Sequence, residues 1–410
     1  MENSKNSYEA ANPVFNTAKM TSYFLAKSGN KYAEQIIAAT GFDIQLAYDS
    51  NPSLEAIQLP NMIGQDVRYE AVNLRIRESG FKNILDIACG FSPRGLEMSL
   101  EGCNYVGGDL QMVVPVITPV IEDLAGDRKS MISYTVVDAT NQESFSAAAS
   151  KLSGPVCIVT EGLMPYLNAS EKELVFSNVA KILKEHGGCY ICPDFNTNQL
   201  ALEMSSIVLG QQALEAVMKT QAEFSKKGDS DTESNMIDPL EEGITLMKKV
   251  GLNPEVLTFY PADRDFSSLK LIDKDKQDAF REALTHGNII VARAAEGSAD
   301  ASFETKEKDF AVKINPEANV LNITLSGRVD SLTAPKFVDI YREHENSDLY
   351  DEVRIDMQDL VYISSAGLRV LMMIKKAGKD RKVTIKNVSD GVMDILTTTG
   401  FDSIFVIEER

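Results

Sequence analysis

From about residue 80 the chain alternates short apolar runs with stretches whose apolar residues recur at helical spacing. NILDIA (83–88) precedes a helical pattern from about Arg94, NYVGGDL (104–110) one around 114–126, and SYTVVDAT (133–140) a short one. PVCIVTEG (155–162) precedes a helical stretch around 170–185, and GGCYICPDF (187–195) follows it. This alternation predicts βαβ units in a mostly parallel sheet with helices on both faces. A polar helical stretch over about 199–228 interrupts the series, and KKGDSDTESN (226–235) reads as an exposed loop. A helix at 239–250 then leads to GLNPEVLTFY, and NIIVARAA (288–295) is the last strand of this part.

The pattern breaks at EGSADASFETKEKD (296–309), which has almost no apolar content and reads as a linker. A second unit starts beyond it. FAVKINPEANVLNITLSGRVD predicts two alternating strands around a turn at Pro316 to Asn319, followed by a helix from Ala334 to about Glu345. EVRIDMQDL is a strand, AGLRVLMMIKKAGKD a helix, KVTIKNV a strand, DGVMDILTTTG a helix ending at Gly400, and IFVIEE a short last strand. The expected organisation is α/β throughout: a domain over 1–297, a linker over 298–305 and a small domain over 306–410.

Composition narrows the function. The 410 residues carry a formal net charge of −19, which repels phosphate backbones and argues against a nucleic-acid partner. No apolar run is long enough for a membrane span, and MENSKNSYEAANP lacks the apolar core of a secretory signal. Five scattered cysteines form no disulfide framework and fit a reducing cytoplasm. Cys189 and Cys192 read C-x-x-C, but residues three apart in a strand point to opposite faces, so core packing is preferred to a metal or thiol role. No metal site is expected.

The candidate chemistry lies at strand ends. ILDIACGFSPRG (84–95) reads as a strand stopping on Asp86, then a small-residue turn through Ala88, Cys89 and Gly90. Small residues there let a ligand approach backbone N–H groups. G-x-G-x-x-G is absent, which disfavours a pyrophosphate and hence a nucleotide-dependent dehydrogenase. Asp109 ends the second strand, 23 residues after Asp86, where a carboxylate can accept both ribose hydroxyls of an adenosine. Asp138 ends the third, within reach of an adenine amino group, and Glu161 the fourth. Each acid alone reads more readily as a helix N-cap or a solvated turn. Together, in four consecutive strands, they suit a cationic, phosphate-free cofactor.

At these residues the sequence resembles the class I S-adenosylmethionine-dependent methyltransferases, in particular the branch with leucine carboxyl methyltransferases and polyketide O-methyltransferases. ILDIACGFSPRG, YVGGDL, VVDAT and VTEGLMPYL carry the resemblance, which covers roughly residues 10–297. It implies a Rossmann-like domain with S-adenosyl-L-methionine as cofactor. Asp86 belongs to the first motif, and Ala88, Cys89 and Gly90 would line the methionine part, with Ala88 standing where the family has glycine. Asp109 would hold the ribose, Leu110 the adenine ring, and Asp138 and Ala139 the adenine edge. Glu161 and Gly162 would border the methyl group and the acceptor. Arg68 best matches the family arginine that pairs with the cofactor carboxylate, with Arg75 and Arg77 close by. In-line methyl transfer rests on proximity and alignment, and a base is needed only for acceptors such as hydroxyls. Glu161, Tyr166 and Asp194 are the candidates for that role, with His186, His286 and His344 also considered. Residues 10–65 and 199–235 are expected to cover the pocket of a small-molecule acceptor.

In the second unit, DLVYISSAGLRVL (359–371) places two serines between a strand and a helix beginning near Ala366, where a hydroxyl can cap and a phosphate can sit. LNITLSGRVDSLTAPKF, RIDMQDLVYISSAGLRVL and TTTGFDSIFVI, in that order, resemble STAS domains, the fold of anti-sigma factor antagonists. The resemblance implies phosphorylation at Ser365 or Ser364 by a partner serine kinase, and an anti-sigma factor as binding partner. The whole reads as a cytoplasmic bacterial-type fusion: a methyltransferase of small-molecule O-methyl character tuned by its STAS domain. The alternative is a ligand sensor without turnover acting through the same switch.

Overall fold

A computed structural model of the chain describes residues 13–42, 57–196, 198–215, 240–295, 310–317, 319–329, 333–344, 350–363, 365–377, 381–398 and 400–408. The chain divides into two compact units, Met1–Ser298 and Ala299–Arg410. The stretch expected to be a linker, 298–305, and the loop expected at 226–235 lie outside the described residues.

Among the described residues the first unit opens with three helices, α1 (Pro13–Ser28), α2 (Lys31–Thr40) and α3 (Gln58–Ser79). The alternating part follows: β1 (Asn83–Ile87), α4 (Arg94–Leu100), β2 (Asn104–Asp109), α5 (Val114–Ala125), β3 (Ile132–Val136) and α6 (Gln142–Ala149). Then come β4 (Val156–Thr160), α7 (Ala169–His186), β5 (Gly188–Cys192) and α8 (Asn198–Leu209). The unit closes with α9 (Leu240–Lys249), β6 (Leu252–Thr258), α10 (Gln277–Thr285) and β7 (Asn288–Ala294). Of the helix expected over 199–228, α8 is one part, and the residues beyond 215 are outside the described set.

The seven strands order β3-β2-β1-β4-β5-β7-β6. β1 to β5 are mutually parallel, and β7 runs antiparallel between β5 and β6. The first five follow the doubly wound order, whose direction of winding reverses between β1 and β4; ligands bind outside the carboxyl ends of the strands at such a point.

Both faces of the sheet are covered, so successive strand residues enter opposite cores. Ile84, Cys157, Cys189 and Ile191 join a core with α3, α4 and α5, while Leu85, Ile87, Ile158, Tyr190 and Cys192 join one with α6 and α7. The C-x-x-C pair is therefore split between the two cores. Cys189 instead meets Cys157 of the neighbouring strand, sulfur to sulfur at 3.8 Å. Among the described residues no group of His, Cys, Asp or Glu is placed to hold a metal, and no helix is long and apolar enough to cross a membrane.

Three strand ends differ from the expectation, the smallest difference being at β4, which ends at Thr160 with Glu161 the next residue. β1 does not stop on Asp86: its pairing continues to Ile87, opposite Gly108 and Thr160, because Ile87 is itself a core residue. Asp86 therefore lies inside the strand, on the face shared with Ile84. β3 ends at Val136, so Asp138 lies in the turn beyond it.

The second unit is a five-stranded sheet, ordered β12 (Val406–Glu408), β11 (Lys382–Lys386), β10 (Glu352–Ile363), β9 (Val320–Val329) and β8 (Ala311–Glu317). β8 and β9 form the antiparallel hairpin, and α11 (Ala334–Arg342) follows. β10, α12 (Ser365–Lys376), β11, α13 (Asp390–Thr398) and β12 complete it, with β9 to β12 parallel. β10 is longer than expected and shifts register against β9 between Asp356 and Asp359 and again between Leu360 and Tyr362. α12 starts hard against the sheet: a Cβ at Gly367 would lie 2.6 Å from Ile363 and 2.7 Å from Val329, so a glycine stands there.

Candidate functional site

The loops after β1, β2 and β4 meet at the winding reversal. The first loop is drawn back over β2, with the N–H groups of Ala88 and Cys89 both donating to the carbonyl of Gly108 (2.8 and 3.3 Å). That turn forces Ala88 to φ 59°, a left-handed conformation that costs a residue with a Cβ roughly 1–2 kcal/mol. Cys89 is buried, and burial pushes its thiol well above the usual range, so it is no nucleophile.

Asp109, the last residue of β2, holds this loop. Its Oδ2 accepts from the Gly90 N–H and its Oδ1 from the Leu110 N–H, each at 2.7 Å. Burial pushes its carboxyl up to about 6, against the lowering effect of those two donors. α1 lies on the other side of the loop. A Cβ at Gly90 would be 3.4 Å from that of Ala18, the Ser22 hydroxyl donates to the Phe91 carbonyl at 2.9 Å, and the Phe15, Phe42 and Phe91 rings pack edge to face.

The loop after β4 is fixed from β5. Asp194 accepts from the N–H groups of Gly162 (2.7 Å), Leu163 (2.8 Å) and Met164 (3.0 Å). Burial raises its carboxyl despite these bonds and the nearby Arg68. Both oxygens of Glu161 are engaged: Oε1 accepts from Arg68 Nε and Gln65 Nε2 (each 3.1 Å), and Oε2 from Arg94 Nη2 (2.6 Å). Burial works to raise this carboxyl, but Arg94 and Arg68 outweigh it and hold it below its ordinary value. Tyr166 is exposed.

Asp138 shapes its own turn, its Oδ1 accepting from the N–H and hydroxyl of Thr140 (2.9 and 2.7 Å), while Asn141 caps α6 and Asn178 donates to the Ala139 carbonyl. Arg68 faces this site, whereas Arg75 pairs with Glu78 and the Thr258 carbonyl, and Arg77 grips Glu101. His186 ends α7, His286 lies beside Glu203, and His344 belongs to the second unit.

The structure adds Arg94, which sequence reasoning passed over. It is only 1% exposed; Nε donates to Asn73 (2.8 Å), Nη1 to Asp86 Oδ2 (2.7 Å) and Nη2 to Glu161, and its guanidinium lies 4.9 Å from the Tyr69 ring centre. Tyr105 also donates to Asp86 Oδ2, at 2.9 Å, leaving Oδ1 buried without a partner among the described residues. The signal was available: Arg94 stands eight residues after Asp86, on the first turn of the helix that packs over β2 and β3.

Residues 311–408 match the family model described as "Mlab, STAS domain". The second unit carries a STAS domain. An anti-sigma factor antagonist from Mycobacterium paratuberculosis is similar at 20% identity over 25% of this chain and 87% of that one (TM-score 0.23). Magnesium protoporphyrin IX methyltransferase from Synechocystis, with bound SAH, is similar at 11% identity over 58% of this chain and 87% of that one (TM-score 0.35). Human N-acetylserotonin methyltransferase in complex with SAM is similar at 12% identity over 66% of this chain and 65% of that one (TM-score 0.33), so this chain spans less than two thirds of that enzyme's length. No curated protein matches the chain. In the STAS domain, Ser364 and the side chain of Ser365, the two serines singled out from the sequence, lie outside the described residues.

Proposed function

We propose that residues 1–297 form an S-adenosylmethionine-dependent methyltransferase that transfers a methyl group to an oxygen of a small molecule or carboxylate. Its output would be tuned through the STAS domain. The observation that carries this reading is Asp109: an acid at the end of β2, beside the winding reversal, whose oxygens keep lone pairs after accepting from Gly90 and Leu110. Those lone pairs suit two ribose hydroxyls. Arg68, 30% exposed at its side chain, suits the amino-acid carboxylate. Ala88 to Gly90 would follow the methionine chain, Leu110 the adenine face, Asp138 and Ala139 the adenine edge, and Gly162 the methyl group.

When bound, S-adenosylmethionine supplies an electrophilic methyl on a sulfonium. The protein's part is alignment, with Asp109 and Arg68 holding the two ends of the ligand and the loop pinned by Asp194 walling the acceptor side. Glu161 and Asp194 each already accept three hydrogen bonds, from Gln65 and two arginines or from backbone N–H groups, so both are committed to holding their neighbours rather than to taking a substrate proton. A carboxylate acceptor needs none. The same observation favours a second reading, a sensor that binds the cofactor without turnover.

In the STAS domain, phosphorylation at Ser365 or Ser364 would place roughly −1.5 to −2 of charge at the start of α12 and weaken a cytoplasmic partner's hold. An anti-sigma factor or serine kinase is the partner class. Identical partner binding and methyl transfer by Ser364→Asp, Ser365→Asp and wild type would refute this coupling.

The experiment for the first domain is calorimetric titration of the full chain with S-adenosylmethionine, repeated on Asp109→Ala. Micromolar binding that collapses in the variant is the expected result, and no binding by folded wild type refutes the reading. Binding with no S-adenosylhomocysteine formed across a panel of carboxylate and phenol acceptors selects the sensor.

A further inference from the structure

Arg68 and Arg94 approach one buried carboxylate from two sides, and the division between them is unequal. Arg94 reaches Glu161 Oε2 at 2.6 Å, while Arg68 has only Oε1, shared with Gln65, and meets it through Nε at 3.1 Å. Arg68 Nη2 donates to Gln65 Oε1 at 2.7 Å, and Nη1 makes no hydrogen bond among the described residues. The guanidinium lies against Gly162, where a Cβ would be 3.4 Å from Nη2. Arginine and carboxylate prefer to close on each other as a two-pronged pair. Arg94 prevents that by occupying the second oxygen, and is itself balanced by Asp86 at 2.7 Å.

We propose that Arg94 is a positioning residue whose grip on Glu161 keeps Arg68 from closing on it, so that Arg68 presents its outer edge to an anionic ligand group. The identity of that group rests on the methyltransferase reading: it is the amino-acid carboxylate of the cofactor. Removing Arg94 frees Oε2 of Glu161, while Oε1 keeps Gln65 and Arg68, and turns Arg68 inward onto both oxygens. Removing the charge of Glu161 as well releases Arg68 again.

The test compares two ligands on the full chain by calorimetry: S-adenosylhomocysteine, which carries the carboxylate, and 5′-methylthioadenosine, which lacks the amino-acid part. In Arg94→Met, S-adenosylhomocysteine is expected to bind about tenfold more weakly or worse, with 5′-methylthioadenosine within about twofold of wild type. Arg94→Met with Glu161→Gln is expected to restore most of the lost affinity. Should Arg94→Met not fold, Arg94→Lys carries the test, because an ammonium keeps the buried charge but cannot span from Asp86 to Glu161. Equal weakening of both ligands, unchanged S-adenosylhomocysteine binding, or no rescue by Glu161→Gln overturns the proposal. Wild type binding neither ligand refutes the methyltransferase reading first, and this proposal with it.

Discussion

Asp109 gives the proposed adenosine site a pH dependence that can be worked in advance. Its carboxyl, pushed up to about 6 by burial, is ionised at pH 7 and mostly protonated at pH 5. Two ribose hydroxyls need acceptors, and a protonated carboxyl turns one acceptor into a donor. If only the ionised form binds, Kd scales with the factor by which protonation depletes it: about 1.1 at pH 7 and about 11 at pH 5, a rise of about tenfold or 1.4 kcal/mol. Calorimetric titration with S-adenosylhomocysteine at pH 5, 6 and 7 measures this. At pH 6 about half a proton is released per ligand bound, read as a dependence of the observed enthalpy on buffer. A flat Kd from pH 5 to 7, without proton release, would refute the reasoning. The same carboxyl acts on stability with a definite sign. Its folded value lies above the unfolded 3.8, so its contribution is complete below 3.8 and is lost as pH rises through about 6. The loss is up to about 3 kcal/mol, and a ligand that binds the ionised form offsets it.

Three further outcomes are expected. Ala88→Gly relieves a left-handed alanine and stabilises the fold by up to about 1 kcal/mol in urea melts, where a glycine in an ordinary turn would destabilise it. Glu70 is raised to about 7 by burial and then by Glu97 and Asp66, so it costs stability as pH rises from 4.5 through 7. Glu70→Gln should gain about 1–2 kcal/mol at pH 8 and almost nothing at pH 4, measured by thermal melts at both values. Asp194→Ala strands the N–H groups of residues 162–164 and should cost about 3–5 kcal/mol in denaturant unfolding, with faster amide exchange confined to that loop if the protein stays folded.

The sheet was legible because its signals are local. NYVGGD and PVCIVT are short apolar runs bounded by turn residues, and α7 starts at an Asn168 capping box and ends against Gly187. The acids at Asp109 and Glu161 were legible for the same reason. What those acids touch was not. Glu161 meets Gln65 and Arg68, more than ninety residues earlier, and Asp194 reaches back to residues 162–164, contacts that only the strand order creates. The antiparallel course of β7 has no local signature either, since a strand buried on both faces reads alike in both directions. Asp86 was misplaced by one residue because an acid after NIL resembles a stop, whereas here a buried guanidinium lets it stay inside the strand.

The seat of α1 on the loop after β1 has a thermodynamic consequence. Ala18 abuts Gly90, Ser22 donates to the Phe91 carbonyl, and the rings of Phe15 and Phe42 clasp that of Phe91. Undocking α1 and reshaping the loop are therefore one linked equilibrium rather than two. Whatever grips the loop from the crevice also raises the free energy of lifting the helix, and whatever lifts the helix is felt, by the same amount, as lost affinity in the crevice.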